Sequence, residues 1–305
     1  MGRPQRSPTL GEVLGEIVRH AADEVEATLP AAVADEPDGV HQHRVRVRRL
    51  RSVLGGFRDA LDARAAERVR VAYAEWGREL GVVRDIEVRA EVAGEMLARA
   101  GIDDPDVRRR LVDSEQEAYS VAHQRLVELA ASPRAEERAR LLREFVDAAI
   151  PVEPDREAAE VLSAAVARQA RRVEKAESRV DGTDTRYHAL RKAARRMRYV
   201  AESVTDAAPE LRTKEMEALV EAGDDIHDAL GAHRDAMLLA ERVDHEAALA
   251  GRAGELSHAY DRIAEVARDE AAERLDEVPQ AMRRLEAAAS VFREKRRTAS
   301  TDARS

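Results

Sequence analysis

Two segments of the chain repeat one pattern of histidine and arginine. The segments HQHRVRVRRLR (residues 41–51) and HALRKAARRMR (residues 188–198) each begin with histidine and carry arginines three, seven, eight and ten residues later. Guanidinium groups form paired hydrogen bonds with phosphate oxygens, and imidazole adds a further donor that gains charge as pH falls. These residue types therefore predict an anion-binding site. Its main candidates are His41, Arg44, Arg48, Arg51, His188, Arg191, Arg195 and Arg198.

The spacing of these candidates fits one face of an α-helix. At about 100° per residue, the histidine and three of the arginines fall within an arc of roughly 80°. Arg46, Arg49 and Arg196 project from other parts of the wheel. Each helix is predicted to bury an apolar stripe beside its row of cations. The stripes are Val47, Leu50, Leu54 and Phe57, and then Leu190, Ala194, Met197, Ala201 and Val204.

Neither segment contains an acidic residue. Asp and Glu make up 60 of the 305 residues, so residues 41–51 and 186–198 together would hold about five if acids were evenly spread. A charge run in a chain with 36% charged residues is most often a solvated helix face. These helices, however, forgo the i,i+4 ion pairs that surface helices form. Their like charges favour an anionic partner over a solvated face.

A second motif also occurs twice. LGVVRD covers residues 80–85, and LGAHRD covers residues 230–235. The histidine motif recurs after 147 residues (188 minus 41) and the glycine motif after 150 (231 minus 81), which indicates an internal duplication into two related lobes. The glycine predicts a helix end, with the Arg-Asp pair entering the next helix. Alternatively, Arg84 and Asp85 form an ion pair that fixes the helical turn.

The four motifs, in this order, resemble the CHAD domain, the conserved histidine α-helical domain, and the resemblance covers nearly the whole chain. It implies an all-α fold with two pseudo-symmetric helical-bundle halves that face a central basic groove. It also implies a non-catalytic module, because members of this family are implicated in binding inorganic polyphosphate. The implied contacts are the eight main candidates, followed at lower rank by Arg49, Lys192, Arg196, Arg84 and Arg234.

Some family members carry an N-terminal triphosphatase domain that is marked by an ExExK strand. Only residues 1–40 precede His41 here, so the resemblance implies a stand-alone binding module. Its implied partners are inorganic polyphosphate itself and, beyond the ligand, polyphosphate granules or polyphosphate-metabolising enzymes.

Composition independently predicts an all-α protein. Aromatic residues make up only 3% of the chain, and alternating β-branched runs are few. Thr9 to Glu12 reads as a capping box, and Ser132-Pro133 as a helix start. The segment Ile150-Pro151-Val152-Glu153-Pro154 interrupts helical structure between the repeats. We therefore expect an N-terminal half at residues 1–150, a C-terminal half at 151–297 and a disordered tail at 298–305.

Three other functions compete with polyphosphate binding. Nucleic-acid phosphates are a possible ligand, but the net charge of −9 and the scarcity of aromatic stacking residues disfavour them. A phosphoanhydride-processing enzyme would need Mg²⁺-binding carboxylates or a nucleophile beside the basic row. The available carboxylates have no recognised spacing; they are Asp85, Asp224, Asp225 and Asp235. The third possibility is a helical scaffold whose basic helix faces bind no ligand.

We expect neither a metal site nor a cofactor. Arginines around His41 and His188 would repel a cation, and neither His41-x-His43 nor the pair His227 and His233 has the usual ligand spacing. The chain has no cysteine for thiolate sites. No apolar segment approaches the roughly 20 residues that span a bilayer, and the N-terminus lacks a continuous apolar signal region. A cytoplasmic protein without membrane contact is predicted.

Overall fold

The computed structural model describes residues 7–148, 151–252 and 258–302, with side chains described through residue 298. These residues are almost entirely helical, and the only β interaction among them is an isolated bridge between Thr9 and Glu157. The all-α class is therefore confirmed. Within the described ranges, no helix combines the length and the apolar character needed to cross a membrane.

The helices follow one another through short connections. A 3₁₀ turn at Arg58–Ala60 follows α2, another at Pro209–Leu211 follows α8, and a π turn at Arg109–Asp113 joins α4 to α5. The helices are α1 (Leu10–Val33), α2 (Gly39–Gly56), α3 (Ala63–Ala100), α4 (Pro105–Arg108), α5 (Ser114–Ala130), α6 (Pro133–Asp147), α7 (Ala158–Glu177), α8 (Asp184–Ala207), α9 (Lys214–Arg252) and α10 (His258–Asp302).

Two helix starts have the predicted caps. The Thr9 hydroxyl accepts from the Glu12 backbone N–H at 3.3 Å, and the Glu12 carboxylate accepts from the Thr9 N–H at 2.8 Å, which completes the capping box of α1. Ser132 caps α6 by accepting from the Ala135 N–H, and Pro133 occupies the first turn. The caps fix where the first and sixth helices enter the bundle.

The C-terminal segment differs from the prediction. Helix α10 continues to Asp302, so residues 298–302 are helical where the sequence predicts a disordered tail; residues 303–305 lie outside the described residues. Upstream of this segment, Arg293 donates to Glu174 of α7 and Lys295 donates to Glu215 of α9, both at 2.7 Å. These cross-helix ion pairs hold the polar end of α10 against the bundle.

The predicted helix end at each LGxxRD motif is wrong. Gly81 lies inside α3 and Gly231 lies inside α9, and these helices of 38 and 39 residues continue through the motifs. Glycine inside a helix costs about 0.5–1 kcal/mol relative to alanine. Two such glycines at matching positions therefore point to close packing at the glycine itself.

The order of elements repeats along the chain. Helices α1 and α2, a 3₁₀ turn and long α3 correspond to α7 and α8, a 3₁₀ turn and long α9. The starts of α1 and α7 also exchange backbone hydrogen bonds: the Leu10 N–H donates to the Arg156 carbonyl at 2.8 Å, and the Ala158 N–H donates to the Pro8 carbonyl at 3.1 Å. The internal duplication remains a prediction, and this reciprocal arrangement supports it.

The apolar stripes predicted for α2 and α8 lie in the core. All nine residues are at most 1% exposed, and they pack with the apolar faces of α1, α3, α7 and α9. A second apolar cluster joins the far ends of α3 and α9 to the start of α10 and includes Met96, Leu97, Leu111, Val243 and Ile263. The core thus fixes α2 and α8 between the two long helices.

Candidate anion-binding site

The arginine rows of α2 and α8 meet where the two helices cross. The crossing is close because Gly56 has no side chain; a Cβ there would overlap Val200. We call the half-buried Arg44, Arg48, Arg51, Arg191 and Arg195 the basic cluster. Burial, and then the charges of neighbouring arginines, lower the pKa of Arg48, Arg51, Arg191 and Arg195. These four guanidinium groups nevertheless keep their charge at neutral pH.

Most of the basic cluster lacks a counterion. Arg44 Nη1 donates to Asp85 Oδ1 at 2.9 Å, whereas no carboxylate in the described part of the chain forms an ion pair with the other four members. The Nε atoms of Arg48, Arg51 and Arg195 are buried and have no hydrogen-bond partner among these residues. Buried donors without partners cost free energy. A polyanion bound at the accessible part of these guanidinium groups would offset their buried charge.

The glycine of each LGxxRD motif lies beside a row arginine, and at Gly231 a side chain would overlap it. A Cβ at Gly231 would lie 2.7 Å from Arg191 Nη2, and a Cβ at Gly81 would lie 3.6 Å from Arg44 Nη2. Arg191 Nε also donates to Nδ1 of the buried His227 at 3.1 Å and to its carbonyl oxygen at 3.2 Å. Burial, with Arg191 next, lowers the pKa of His227 to about 2 and keeps its ring neutral.

The two motif aspartates border the basic cluster at its Arg44 and Arg191 end. Asp85 accepts from Arg44. Asp235 is partly buried near Arg191 and Asp85, and burial raises the pKa of its carboxyl group. Arg84 instead pairs with Glu87 at 2.7 Å and Glu91 at 3.1 Å, so it is held along its own helix. The alternative ion pair between Arg84 and Asp85 is therefore not the arrangement observed.

The histidines of the two rows stand at the same end. His41 is partly buried, and burial followed by the charge of Arg84 lowers its pKa. His188 is more exposed, and desolvation followed by Lys192 and Arg234 lowers its pKa as well. Arg234 Nη1 lies 3.1 Å from His188 Nδ1, where it donates to the neutral ring. Both rings are thus poised to gain a proton when an anion offsets the arginines.

Two candidate arginines are held by carboxylates. Arg49 is 8% exposed and donates to Asp206 at 2.5 Å, with Glu24 at 3.8 Å, so it joins α2 to α8 and α1 away from the basic cluster. Arg198 pairs with Asp224 and with Glu202 at 3.2 Å and lies 4.7 Å from the centre of the Tyr199 ring. Lys192 is exposed beside His188, whereas Arg196 is half-buried near Arg51.

The other histidines have structural partners. His43 is buried; its Nε2 accepts from Trp76 Nε1 at 2.8 Å, which leaves Nδ1 to donate to the Thr28 hydroxyl at 2.9 Å. His233 Nδ1 lies 2.8 Å from the carbonyl oxygen of Ala271. Among the described residues, no three His, Asp or Glu side chains are grouped as metal ligands. His43, His227 and His233 are thus engaged in hydrogen bonds within the fold.

The fold and the paired arginine rows define an all-helical domain with a cationic site between two helices. The CHAD domain model matches residues 16–244, so the chain belongs to the CHAD domain family. It is 29% identical over 287 residues to two Mycobacterium tuberculosis proteins, uncharacterized protein MT2285 of strain CDC 1551 / Oshkosh and uncharacterized protein Rv2226 of strain H37Rv. Each match covers 88% of this chain and 53% of the relative, so the chain spans about half the length of these curated relatives.

Two solved structures are similar to this one. The CHAD domain from the plant Ricinus communis matches with a TM-score of 0.68 and 23% identity, covering 92% of this chain and 94% of that one. PptA from Streptomyces chartreusis matches with a TM-score of 0.70 and 21% identity, covering 91% and 100%. At these identities the likeness establishes a shared fold.

Proposed function

We propose that this protein binds inorganic polyphosphate through the basic cluster and acts as a non-catalytic module. The observation that carries the proposal is the set of half-buried arginines without carboxylate partners at the crossing of α2 and α8. Polyphosphate is a thin chain with about one charge per phosphate, and guanidinium groups bind phosphate oxygens in pairs. Membership of the CHAD family, some of whose members bind polyphosphate, supports this choice of ligand.

The members of the site have different roles in this proposal. Arg48, Arg51 and Arg195 contact phosphates directly, since no carboxylate of the described residues forms an ion pair with them. Arg44 and Arg191 are positioned in advance by Asp85 and by His227. His41 and His188 add hydrogen bonds at the end of the rows, and their protonation strengthens the contact. Arg198 and the lower-ranked Lys192, Arg196, Arg84 and Arg234 form the rim.

The surroundings of the basic cluster disfavour both alternative functions, nucleic-acid binding and phosphoanhydride processing. A recessed row admits a thin chain more readily than a duplex. The whole chain has a net charge of −9, so the surface outside the basic cluster repels extended nucleic acid. For a phosphoanhydride-processing enzyme, carboxylates would have to be available for Mg²⁺. Asp85 and Asp224 instead neutralise Arg44 and Arg198. A cytoplasmic location, with polyphosphate granules or polyphosphate-metabolising enzymes as partners, completes the proposal.

Calorimetric titration of the full chain with long-chain polyphosphate tests this function. Duplex DNA at equal phosphate concentration serves as competitor, and ATP as a short control. The site variant replaces Arg48, Arg51 and Arg195 with Gln. The matched control replaces Arg109, Arg134 and Arg143 with Gln and removes the same charge from positions whose side chains are 60–75% exposed.

We expect the wild type and the control variant to bind polyphosphate tightly without displacement by DNA. The site variant should lose affinity at least about 100-fold. By analogy with nucleic acids, the slope of log affinity against log salt concentration should become shallower by roughly 0.7–0.9 for each lost phosphate contact. Equal losses in both variants would mean that only net charge matters. Tighter binding to DNA would favour a nucleic-acid function, and no binding to either would favour a helical scaffold.

A further inference from the structure

Cations continue beyond the basic cluster at the Arg51 end. Arg70 and Arg78 of α3, Arg172 of α7 and Arg196 of α8 form what we call the outer arginine patch. A Cβ at Gly55 would lie 3.9 Å from Arg70 Cδ and 4.0 Å from Arg196 Cζ, and a Cβ at Gly77 would lie 3.2 Å from Arg51 Nη1. Arginines of α3 and α8 thus meet at the α2 backbone near Gly55, and Gly77 of α3 lies close to Arg51.

The outer arginine patch is largely without counterions. Arg70 is paired with Glu67 through two hydrogen bonds of 2.5 and 2.6 Å. Within the described ranges, no carboxylate forms an ion pair with Arg78, Arg172 or Arg196; Arg172 donates only to the neutral amide of Gln169 at 3.2 Å. Arg70 and Arg196 meet at the Gly55 backbone, and burial of Arg196, followed by the charges of Arg172 and Arg70, lowers its pKa.

The opposite end of the basic cluster carries charges of both signs. Arg84 lies near His41, and Lys192 and Arg234 lie near His188, whereas Asp85 and Asp235 border the cluster on the same side. Beyond His41, a cavity between the α1–α2 connection and helices α3 and α5 is lined by carboxylates, among them Asp35, Asp38, Glu87 and Glu91. Among the described residues, carboxylates therefore interrupt the cations at the His41 end, whereas largely unpaired cations extend beyond the Arg51 end.

We propose that the outer arginine patch is a second binding segment, along which a polyanion leaves the basic cluster past Arg51 and continues over Arg196 to Arg172. The proposal rests on the proposed function and specifies its ligand: chains long enough to fill both segments, in preference to short oligophosphates. A short chain contacts only the basic cluster. A long chain binds the second segment intramolecularly, at high effective concentration, so its affinity exceeds that of a short chain.

The full chain carrying Arg78→Ala and Arg172→Ala provides the test. Arg78 and Arg172 are exposed, so the fold is retained. The control variant, Arg109→Ala with Arg134→Ala, removes the same charge from two other exposed arginines. Affinity is measured by titration calorimetry for long-chain polyphosphate and for tripolyphosphate over a series of salt concentrations. A separate Arg196→Ala variant, whose folding is checked by circular dichroism, probes the junction between the segments.

We expect the double variant to bind tripolyphosphate as the wild type does. Its affinity for long-chain polyphosphate should fall at least about tenfold. The slope of log affinity against log salt concentration should become shallower by about 1.4–1.8 for the two lost contacts. Unchanged long-chain affinity, or an equal fall for both ligands, would overturn the second segment while leaving the basic cluster as the polyphosphate site. Failure of the wild type to bind either ligand would overturn both proposals.

Discussion

The guanidinium group of Arg191 lies against the backbone of Gly231, where a Cβ would be 2.7 Å from its Nη2 atom. The His-x-x-Arg motif of α8 and the LGxxRD motif of α9 are therefore parts of one site. The glycine provides the space, and His227, one helical turn earlier, accepts the Nε–H of the arginine. Arg44 of α2 and Gly81 of α3 lie in the matching arrangement at a longer distance, 3.6 Å from the Cβ position to Nη2.

Replacing Gly231 with Ala is expected to weaken polyphosphate binding about tenfold and to leave stability nearly unchanged. The new methyl group displaces a flexible guanidinium from its position against α9, while the helix gains about 0.5–1 kcal/mol from the loss of glycine. Titration calorimetry and urea unfolding measure the two effects. Gly94→Ala in α3 is the matched control, because no atom lies within 4 Å of its Cβ position; it should gain stability and keep full affinity. Equal binding by both variants would contradict the role assigned to Gly231.

Replacing Arg48, Arg51 and Arg195 with Gln is expected to raise the thermal midpoint of the free protein by a few degrees. Their lowered pKa values mean that folding disfavours these charges, and the substitution removes mutual repulsion without emptying the site. Saturating polyphosphate should then stabilise the wild type but not the variant, because a ligand stabilises only the state that binds it. Differential scanning calorimetry measures both shifts. A variant that unfolds at lower temperature would show that the arginines support the fold.

Polyphosphate affinity is expected to rise as pH falls. In the free protein, burial and neighbouring cations hold the pKa values of His41 and His188 below the usual 6.5. A bound anion offsets the cations and raises both values, so binding takes up protons. Affinity therefore increases as pH falls through the bound-state pKa values and levels off below the free-state values.

Titrations in buffers of different ionisation enthalpy measure this proton uptake. The variant with His41→Gln and His188→Gln should bind with little change between pH 8 and 5.5, in the range where histidine titrates. His20→Gln is a suitable control, since His20 lies on α1 and pairs with Glu24 outside the basic cluster. Proton uptake that persists in the double variant would assign the linkage to other groups.

Acid should destabilise the protein through His43 well before the carboxylates titrate. Burial, followed by the charge of Arg138, lowers the pKa of His43 to about 4 from 6.5 in the unfolded chain. The unfolded state therefore binds more protons between these values, and stability is complete above pH 6.5 and falls as pH decreases toward 4. The difference corresponds to at most about 3 kcal/mol. Urea unfolding across this range, followed by Trp76 fluorescence, should show a shallower pH dependence for His43→Gln; an unchanged slope would exclude His43 as the cause.

Local periodicity predicted the parts of the site that lie on single helices. The apolar stripes beginning at Val47 and Leu190 are buried, because an amphipathic helix must turn that face to the core. The LGxxRD motif misleads, because glycine is typical of helix ends, whereas Gly81 and Gly231 lie inside α3 and α9. Tyr73, Trp76, Leu80 and Val83 keep helical spacing through this region and carry the signal of a continuous helix.

Contacts between distant segments had no local signal. Arg49 meets Asp206 across 157 residues, so its pairing depends on how α2 crosses α8. The outer arginine patch likewise draws on three helices, and Arg70, Arg78 and Arg172 belong to no repeated motif. Such groupings follow from tertiary packing, because helix crossings decide which charged faces meet.

The reciprocal hydrogen bonds near Thr9 and Glu157 have the symmetry of a two-fold dimer interface. At positions 148 residues apart (158 minus 10 and 156 minus 8), Leu10 and Ala158 each donate one bond, and Arg156 and Pro8 each accept one. A self-complementary contact of this kind would join two separate half-length chains equally well. Covalent linkage replaces that bimolecular association with an intramolecular one. If the chain is a duplication, as its sequence predicts, linkage also lets the two halves differ in sequence, so that carboxylates border one end of the cationic row and further arginines extend the other.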